Sequence, residues 1–197
     1  MPSLVVPFRG LDGKSRLADV PHDARAALAH AMLGDVLEAC RAIGPTFVVA
    51  PEGTPVGDAA WVADPRGGQG AAVHAGLDAA VAAGEPPPYL VVNADLPCVT
   101  VRDLFTLAGS VPDGGLALAP AEDGTTNALA LSSAALFKPV YGPGSAARFA
   151  ALAPSLTVES PNLVDDVDTP EALERLRPRL GPRTLRVLDA LRIGAAA

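Results

Sequence analysis

Short apolar runs alternate with longer alanine-rich segments along this chain. The short runs have the length and the continuous apolar character of strands that are buried on both faces of a sheet, and the longer segments repeat apolar residues near helical spacing. The pattern predicts strands at residues 3–7, 46–50, 61–63, 89–93, 116–119 and 127–131. It predicts helices at residues 23–41, 69–83 and 101–108, and a helical tail from residue 170 that is broken at Gly181 and Pro182.

Strands that alternate with helices in this way predict a fold class. We expect a three-layer α/β/α, Rossmann-like fold with a mostly parallel mixed sheet that helices cover on both faces. No linker, repeat or shift in composition interrupts the pattern, so a single domain spanning residues 1–197 is expected. Ligands of such sheets bind at the carboxyl ends of the strands. The residues that follow Val6, Val49, Ala63 and Val92 are therefore expected to share one functional rim.

The segment that follows the first predicted strand, residues 7–17, is glycine-rich and basic. It places three cations, Arg9, Lys14 and Arg16, within eight residues. Glycine lets backbone N–H groups approach a phosphate closely, and Arg and Lys neutralise its charge. The segment is not a Walker A loop, because Phe8 occupies the position of that motif's first glycine. The composition favours a phosphate site, and an ordinary solvated loop is the alternative.

A second glycine-rich turn follows the third predicted strand and contains Asp64, Gly67 and Gly68. It opens the helix that begins at Gln69, and N–H groups at a helix N-terminus can bind an anion or the polar edge of a base. The alternative is a tight turn that needs glycine for its backbone dihedral angles.

Asp95 follows the most apolar of the predicted strands. An aspartate at the carboxyl end of a buried strand is well placed to hold Mg²⁺ on the phosphates of a nucleotide. The alternative role is to cap the next helix, for which Thr100 is the better candidate.

A late acidic cluster contains Asp166 and Asp168, which face the same way in an extended stretch because they are two residues apart. Two carboxylates on one side repel each other unless a cation lies between them, which favours a metal site. Helix capping is the alternative. Thr169 before Pro170 is a good N-cap, and Asp168 with Glu171 fits a capping box. One aspartate can bind a metal while its neighbour caps the helix.

Charge and composition exclude several classes of function. The net charge of −7 argues against a broad surface for nucleic acid or for an anionic membrane, although it leaves room for a local basic pocket. No signal peptide is visible and no apolar run approaches the ~20 residues that cross a bilayer, so we expect a soluble, cytoplasmic protein. The three histidines form no recognisable catalytic triad, which favours a mechanism based on positioning and charge neutralisation.

Taken in order, the motifs of this chain resemble those of the 2-phospho-L-lactate and phosphoenolpyruvate guanylyltransferases. That family makes the phosphodiester precursor of coenzyme F-420 and shares a fold with the molybdenum-cofactor guanylyltransferases. The matching segments cover nearly the whole chain and are Leu11 with residues 14–17, Asp64 with residues 67–68, and residues 94–97, 124–129, 141–145 and 166–170. One departure is Gln69, which replaces the commoner Leu-Asn after the glycines.

The resemblance implies an enzyme that transfers GMP from GTP to a small phosphorylated acid and releases pyrophosphate. Phosphoenolpyruvate is favoured as the acid over 2-phospho-L-lactate. Transfer to molybdopterin or a sugar phosphate, and a GTP-binding module without chemistry, are the alternatives. The product would pass to a downstream transferase, and a homo-oligomer is compatible with the sequence.

The resemblance also implies roles for individual residues. The metal carboxylates for Mg²⁺ are Asp95, Asp166 and Asp168. The residues that cradle the acid are Thr126, Gly142 and Ser145, and the adjacent Thr125 leaves open which threonine contacts it. The nucleotide side is formed by Pro7, Arg9, Lys14, Asp64, Gly67 and Gly68. In the expected mechanism Asp95 acts through the metal, and Lys14 and Arg16 offset the charge of the leaving pyrophosphate.

Overall fold

The structure, a computed structural model, describes residues 1–10 and 22–191. Within these ranges seven strands form one sheet. They are β1 (Ser3–Pro7), β2 (Thr46–Ala50), β3 (Ala60–Ala63), β4 (Tyr89–Val92), β5 (Leu116–Pro120), β6 (Thr126–Leu131) and β7 (Ser155–Thr157). The helices are α1 (His22–Arg41), α2 (Gly68–Ala82), α3 (Val101–Gly109), α4 (Ser145–Ala150), α5 (Pro161–Val164), α6 (Pro170–Leu176) and α7 (Pro182–Leu191).

The order of strands across the sheet is β3-β2-β1-β4-β6-β5-β7. Strands β1 to β4 pair in parallel, and β5 pairs in parallel with β7. Of these seven strands β6 alone runs in the opposite direction, antiparallel to both β4 and β5. The amino end of β6 therefore lies at the same edge of the sheet as the carboxyl ends of the other strands, which confirms the mostly parallel mixed sheet.

The predicted strands and the three main predicted helices are present, with ends that differ from the prediction by no more than one residue. The helical tail is also confirmed, since α6 and α7 are separated at Gly181. The sequence pattern missed β7, α4 and α5. Their lengths of three, six and four residues are too short to display a period, and Leu156 in the middle of β7 is 53% exposed.

The two faces of the sheet carry separate layers of helix, as predicted. Leu4 and Val6 of β1 point to the face covered by α1 and α3, and Val5 between them points to the face covered by α2. Contact with α2 is close because Gly76 lies against Val5 and leaves no room for a side chain. None of the helices within residues 1–10 and 22–191 is both long and apolar enough to cross a membrane.

The C-terminal helix α7 is held against α1 by a buried carboxylate. Asp35 on α1 is 6% exposed and accepts hydrogen bonds from the backbone N–H groups of Arg183 and Thr184, at 3.0 and 2.8 Å. These N–H groups lie in the first turn of α7, where they have no partner within the helix. The close approach requires Gly181, because a Cβ atom there would lie 2.3 Å from the Asp35 Cγ.

We expect the Asp35→Ala variant to lose about 2 kcal/mol in its free energy of unfolding, because two N–H groups of α7 lose a charged acceptor inside the protein. The matched control is Asp58→Ala, which removes an exposed carboxylate paired with Arg41 at 2.6 Å. An exposed pair of this kind contributes less than about 1 kcal/mol. Urea denaturation of the two variants measures the difference, and equal losses would contradict the role of Asp35.

Candidate active site at the carboxyl edge of the sheet

Three carboxylates from two distant segments meet at the carboxyl edge of the sheet. Asp95 follows β4, and Asp166 and Asp168 lie between α5 and α6. One oxygen atom from each carboxylate lies within 4.8 Å of the others. The backbone joins the two segments, because the N–H of Val167 donates to the carbonyl of Asp95 at 3.0 Å. The structure thus brings together the three residues that the sequence proposes as metal ligands.

The donor set of this cluster suits a hard divalent cation. Carboxylate oxygens are the ligands that Mg²⁺ and Ca²⁺ prefer, and opposite ligands of Mg²⁺ are separated by roughly 4.2 Å. Neighbouring ligands of an octahedral Mg²⁺ ion are roughly 3.0 Å apart, so the carboxylate oxygens, which lie within 4.8 Å of one another, have to approach each other by rotation of their side chains when the ion binds. The three residues are half-buried, so the cluster is open to a ligand from the cleft beside it.

Helix capping is provided by other residues. The N-cap of α3 is Thr100, which forms a capping box with Asp103. The N-cap of α6 is Thr169, whose hydroxyl accepts from the N–H of Ala172 at 3.2 Å, with Pro170 in the first turn. Neither helix therefore uses Asp95 or Asp168 as its N-cap.

Asp165, next to the cluster, is fixed by two arginines. Arg175 donates to its Oδ1 at 2.8 Å and Arg179 donates to its Oδ2. Arg179 also donates to Asn162 at 3.0 Å, so the arginine connects α5 to the segment that carries Asp166. Burial by itself raises the pKa of the Asp165 carboxyl, but the hydrogen bonds from Arg179 and Arg175 outweigh burial and hold that pKa below its ordinary value. The carboxylate of Asp165 is thereby paired with both arginines and orients the segment that carries Asp166.

Two clefts open along the same edge of the sheet and share Arg9. The first cleft contains the end of β1, Gln69 and the segment that leads to the acidic cluster. It is lined by residues 7–10, Ala29, Met32, Gln69 and residues 93–95. The second cleft lies over the ends of β2 and β3. It is lined by Arg9, Ala50, Pro51, Glu52, Trp61, Ala63, Asp64, Arg66 and Gly68.

Four of the five predicted nucleotide residues that the structure describes line these clefts. Pro7 lines the first cleft, Arg9 lines both, and Asp64 and Gly68 line the second. Gly67 is the N-cap of α2 and offers no side chain to the first turn of that helix. Lys14 and Arg16, and the glycine-rich loop around them, lie outside the described residues.

The turn before α2 is tight as well as glycine-rich. Arg66 has a φ of 58° and Gly68 a φ of 80°, both in the left-handed region. The N–H of Arg66 donates to Asp64 Oδ1 at 2.8 Å, which closes the turn. The same residues therefore form a tight turn and line the second cleft, so the two interpretations of this segment are compatible.

The residues proposed for the acid are brought together on the other side of the rim. The hydroxyls of Thr126 and Ser145 lie 3.0 Å apart in a buried hydrogen bond that joins the start of β6 to the start of α4. Gly142, in the loop before α4, has a φ of 105° that favours glycine. Thr125 instead donates its hydroxyl to Asp123 at 2.6 Å.

Sequence reasoning missed Arg148, which shapes this loop. Its guanidinium donates to four consecutive backbone carbonyls at 2.7 to 3.3 Å. These carbonyls belong to Val140, Tyr141, Gly142 and Pro143. No local sequence pattern predicts such a contact, because the partners of the arginine are backbone groups. Asn93 was missed too, although a polar residue at the end of a buried strand was a usable signal.

The fold and the carboxylate cluster are those of an α/β protein with a candidate ligand site at the carboxyl edge of its sheet, and the family model and the relatives below give its class, the nucleotidyltransferases. The sequence model of the MobA-like NTP transferase domain matches residues 22–153, and the chain belongs to this family. A solved transferase structure from Desulfovibrio desulfuricans has the same fold, with a TM-score of 0.73 and 20% identity over 97% of each chain. Enzymes of this family generally use a divalent metal, and the carboxylate cluster is the candidate place for it.

Curated relatives are guanylyltransferases that differ in the acid they use. A phosphoenolpyruvate guanylyltransferase from Sphaerobacter thermophilus is 34% identical over 87% of this chain and 90% of its own. A 3-phospho-D-glycerate guanylyltransferase from Phenylobacterium zucineum is 37% identical over 93% of both chains. A 2-phospho-L-lactate guanylyltransferase from Halobacterium salinarum is 39% identical over 83% of this chain and 78% of its own. The predicted family and enzyme class are confirmed.

Proposed function

We propose that this protein is a cytoplasmic, Mg²⁺-dependent guanylyltransferase that transfers GMP from GTP to a small phosphorylated acid. The observation that carries the proposal is the meeting of Asp95, Asp166 and Asp168 beside a cleft that begins at the end of β1. The names of the relatives support GTP as the donor and a phosphorylated three-carbon acid as the acceptor. We favour phosphoenolpyruvate, with the product consumed by a further transferase on the route to coenzyme F-420.

The second cleft is suited to the guanine base. Guanine presents its N1–H and 2-amino groups as donors along one edge, and the carboxylates of Glu52 and Asp64 are acceptors at this cleft. Trp61 is 45% exposed there, and its indole N–H donates to the carbonyl of Ala50 at 3.1 Å, which fixes the ring along the rim. Adenine lacks the N1–H donor and would leave a carboxylate without a partner.

The first cleft is suited to the phosphates. Arg9 and the backbone of Gly10 line it, and Lys14 and Arg16 follow in the chain. When Mg²⁺ is bound by the carboxylates, it supplies charge neutralisation on the α-phosphate. The backbone hydrogen bond between Asp95 and Val167 holds the carboxylates in place to bind the metal, because it ties together the two segments that carry them. Lys14 and Arg16 offset the charge of the pyrophosphate as it leaves.

The reaction needs no strong base. An oxygen of the acid's phosphate attacks the α-phosphorus of GTP, a new P–O bond forms, and the bond from the α-phosphorus to the bridging oxygen breaks. The attacking oxygen is already an anion near neutral pH, so the obstacle is repulsion between two anions rather than proton removal. In the described part of the chain neither cleft is lined by a histidine, which agrees with this mechanism.

The test is an assay of pyrophosphate release with GTP and Mg²⁺ and each of three acids: phosphoenolpyruvate, 2-phospho-L-lactate and 3-phospho-D-glycerate. We expect one guanylated acid by mass spectrometry, in equal amount to the pyrophosphate, and no product when a chelator removes the metal. Binding of GTP without any of these products would contradict the proposal. It would leave a different acceptor, such as molybdopterin or a sugar phosphate, or a module that binds GTP without chemistry.

Arg148 gives a prediction for the acid side. We expect Arg148→Lys to raise the KM for the acid about tenfold, because a lysine cannot reach the four carbonyls at once and the loop before α4 loses its shape. The KM for GTP should stay within about twofold, since Arg148 lines neither cleft. Steady-state kinetics with each substrate varied in turn measures both. A rise in the KM for GTP alone would contradict this placement of the acid.

A further inference from the structure

Two amide side chains form a short chain of hydrogen bonds at the first cleft. Gln69 is in the first turn of α2, and Asn93 follows the end of β4. The Nε2 of Gln69 donates to Asn93 Oδ1 at 2.8 Å, and the Nδ2 of Asn93 donates to the carbonyl of Thr126 at 3.2 Å. This series of hydrogen bonds thus begins at a backbone group of β6 and ends at the side chain of Gln69.

The backbone carbonyl of Thr126 fixes the orientation of both amides. A carbonyl can only accept, so Asn93 must turn its NH₂ group toward Thr126 and its Oδ1 toward Gln69. Gln69 must then turn its own NH₂ group toward Asn93. Its Oε1 is left on the other side of the amide and is used by no hydrogen bond with the described residues. Gln69 therefore offers the cleft an acceptor whose orientation is set in advance.

Gln69 also stands where the two clefts meet. It lines the first cleft together with Asp95, and its neighbour Gly68 lines the second cleft together with Asp64. A nucleotide whose base lies in the second cleft and whose phosphates lie near Asp95 has its ribose between them. The ribose hydroxyls are donors, and they would pass beside Gln69.

The next residue along the helix cannot take this role. A Cβ atom at Gly70 would lie 2.6 Å from the Cβ of Pro139, so position 70 has no room for a side chain. In this first turn of α2 the side chain of Gln69 is therefore the one that supplies an amide to the first cleft.

We propose that Gln69 recognises the ribose of the bound nucleoside triphosphate. Its Oε1 accepts a hydrogen bond from a ribose hydroxyl, and Asn93 is a positioning residue that holds the amide in the accepting orientation. The inference rests on the proposed function for the places of the base and the phosphates. It makes this enzyme selective for ribonucleotides through one side chain.

The test is calorimetric binding of four nucleotides to the wild-type protein and to Gln69→Leu, with Mg²⁺ present and no acid. The nucleotides are GTP, 2′-deoxy-GTP, 3′-deoxy-GTP and ITP, which lacks the 2-amino group of guanine. We expect the wild type to bind GTP about tenfold more tightly than one of the two deoxy analogues. The Gln69→Leu variant should bind GTP and that same analogue with equal affinity. Asn93→Ala should lower the same ratio, and the ratio of GTP to ITP should not change in either variant.

The matched control is His74→Leu, on an exposed side of the same helix and outside both clefts, which should keep the wild-type ratios. Gln69→Met, which keeps the length of the side chain, replaces Gln69→Leu if the leucine variant melts at a lower temperature. The proposal is overturned if the variant that lacks Gln69 keeps the wild-type ratio of affinities between GTP and each of the two deoxy analogues. It is also overturned if the variant instead loses discrimination against ITP, since that result would place the base beside Gln69.

Because no acid is present, the binding result is separate from the proposed reaction. A wild-type protein that discriminates ribose but guanylates none of the three acids would remove the proposed acceptors and leave the role of Gln69 intact. A wild-type protein that binds no GTP would overturn both.

Discussion

Replacing Asp95 with asparagine is expected to reduce pyrophosphate release at least about a thousandfold, because a neutral amide is a weak ligand for a hard divalent cation. The change is nearly isosteric and leaves the backbone contact between Asp95 and Val167 in place. The variant should remain folded in metal-free buffer, because the substitution changes the shape of the side chain very little. The rise in melting temperature that Mg²⁺ gives the wild type should disappear.

Two measurements distinguish a metal ligand from a structural residue. Pyrophosphate release reports on the chemistry, and thermal melting with and without Mg²⁺ reports on the binding of the metal. The matched control is Asp78→Asn, which changes the net charge equally at an exposed position of α2 beside His74. The control should keep both its activity and its response to Mg²⁺. Near-normal turnover in Asp95→Asn would remove Asp95 from the proposed metal site.

Replacing Gly76 with valine is expected to cost about 3 kcal/mol in the free energy of unfolding, because it overfills the contact between α2 and the sheet. A Cβ atom at Gly76 would lie 2.3 Å from Val5 Cγ1 and 2.9 Å from Val49 Cγ2. Both valines are fully buried, and they belong to β1 and β2, which are paired interior strands of the sheet. Relief therefore requires α2 to move away from the sheet, and Gln69 moves with it.

The chain offers a control for this variant at Gly109, the last residue of α3. A Cβ atom there meets nothing within 4 Å, so Gly109→Val tests the cost of a β-branched residue without the clash. We expect the control to change stability by less than about 0.5 kcal/mol. Urea denaturation measures both variants, and pyrophosphate release shows whether displacement of α2 also slows the reaction. Equal stability of the two valine variants would contradict the close packing of α2.

Local patterns predicted most of the elements. Continuous apolar runs gave the strands to within one residue, and Thr100 was recognised as the cap of α3 because capping depends on neighbours in the sequence. The direction of β6 was not available from such patterns, since an apolar strand reads the same whichever way it is paired. Yet this direction brings Thr126 to the rim, where its carbonyl orients Asn93 and through it Gln69.

In the candidate site too, some features were predictable from local sequence patterns and others depend on the tertiary structure. The residue types in the acidic segments predicted a metal site, and the structure brings Asp95 within reach of Asp166 and Asp168. Whether those aspartates capped a helix was open until Thr169 was found at the N-cap of α6. Arg148 and Asp35 gave no signal in the sequence, because each acts on backbone groups that only folding brings near.

The sequence by itself therefore determined the class of fold, the edge of the sheet at which the candidate site lies and the chemical types gathered there. These follow from the period of apolar residues and from the position of polar residues at the ends of strands. The tertiary structure alone decided which carboxylates meet, how the amides of Gln69 and Asn93 are oriented and which helix is held by Asp35. Those contacts join segments that are distant in the chain, and their geometry depends on the strand order and on close packing at Gly76 and Gly181.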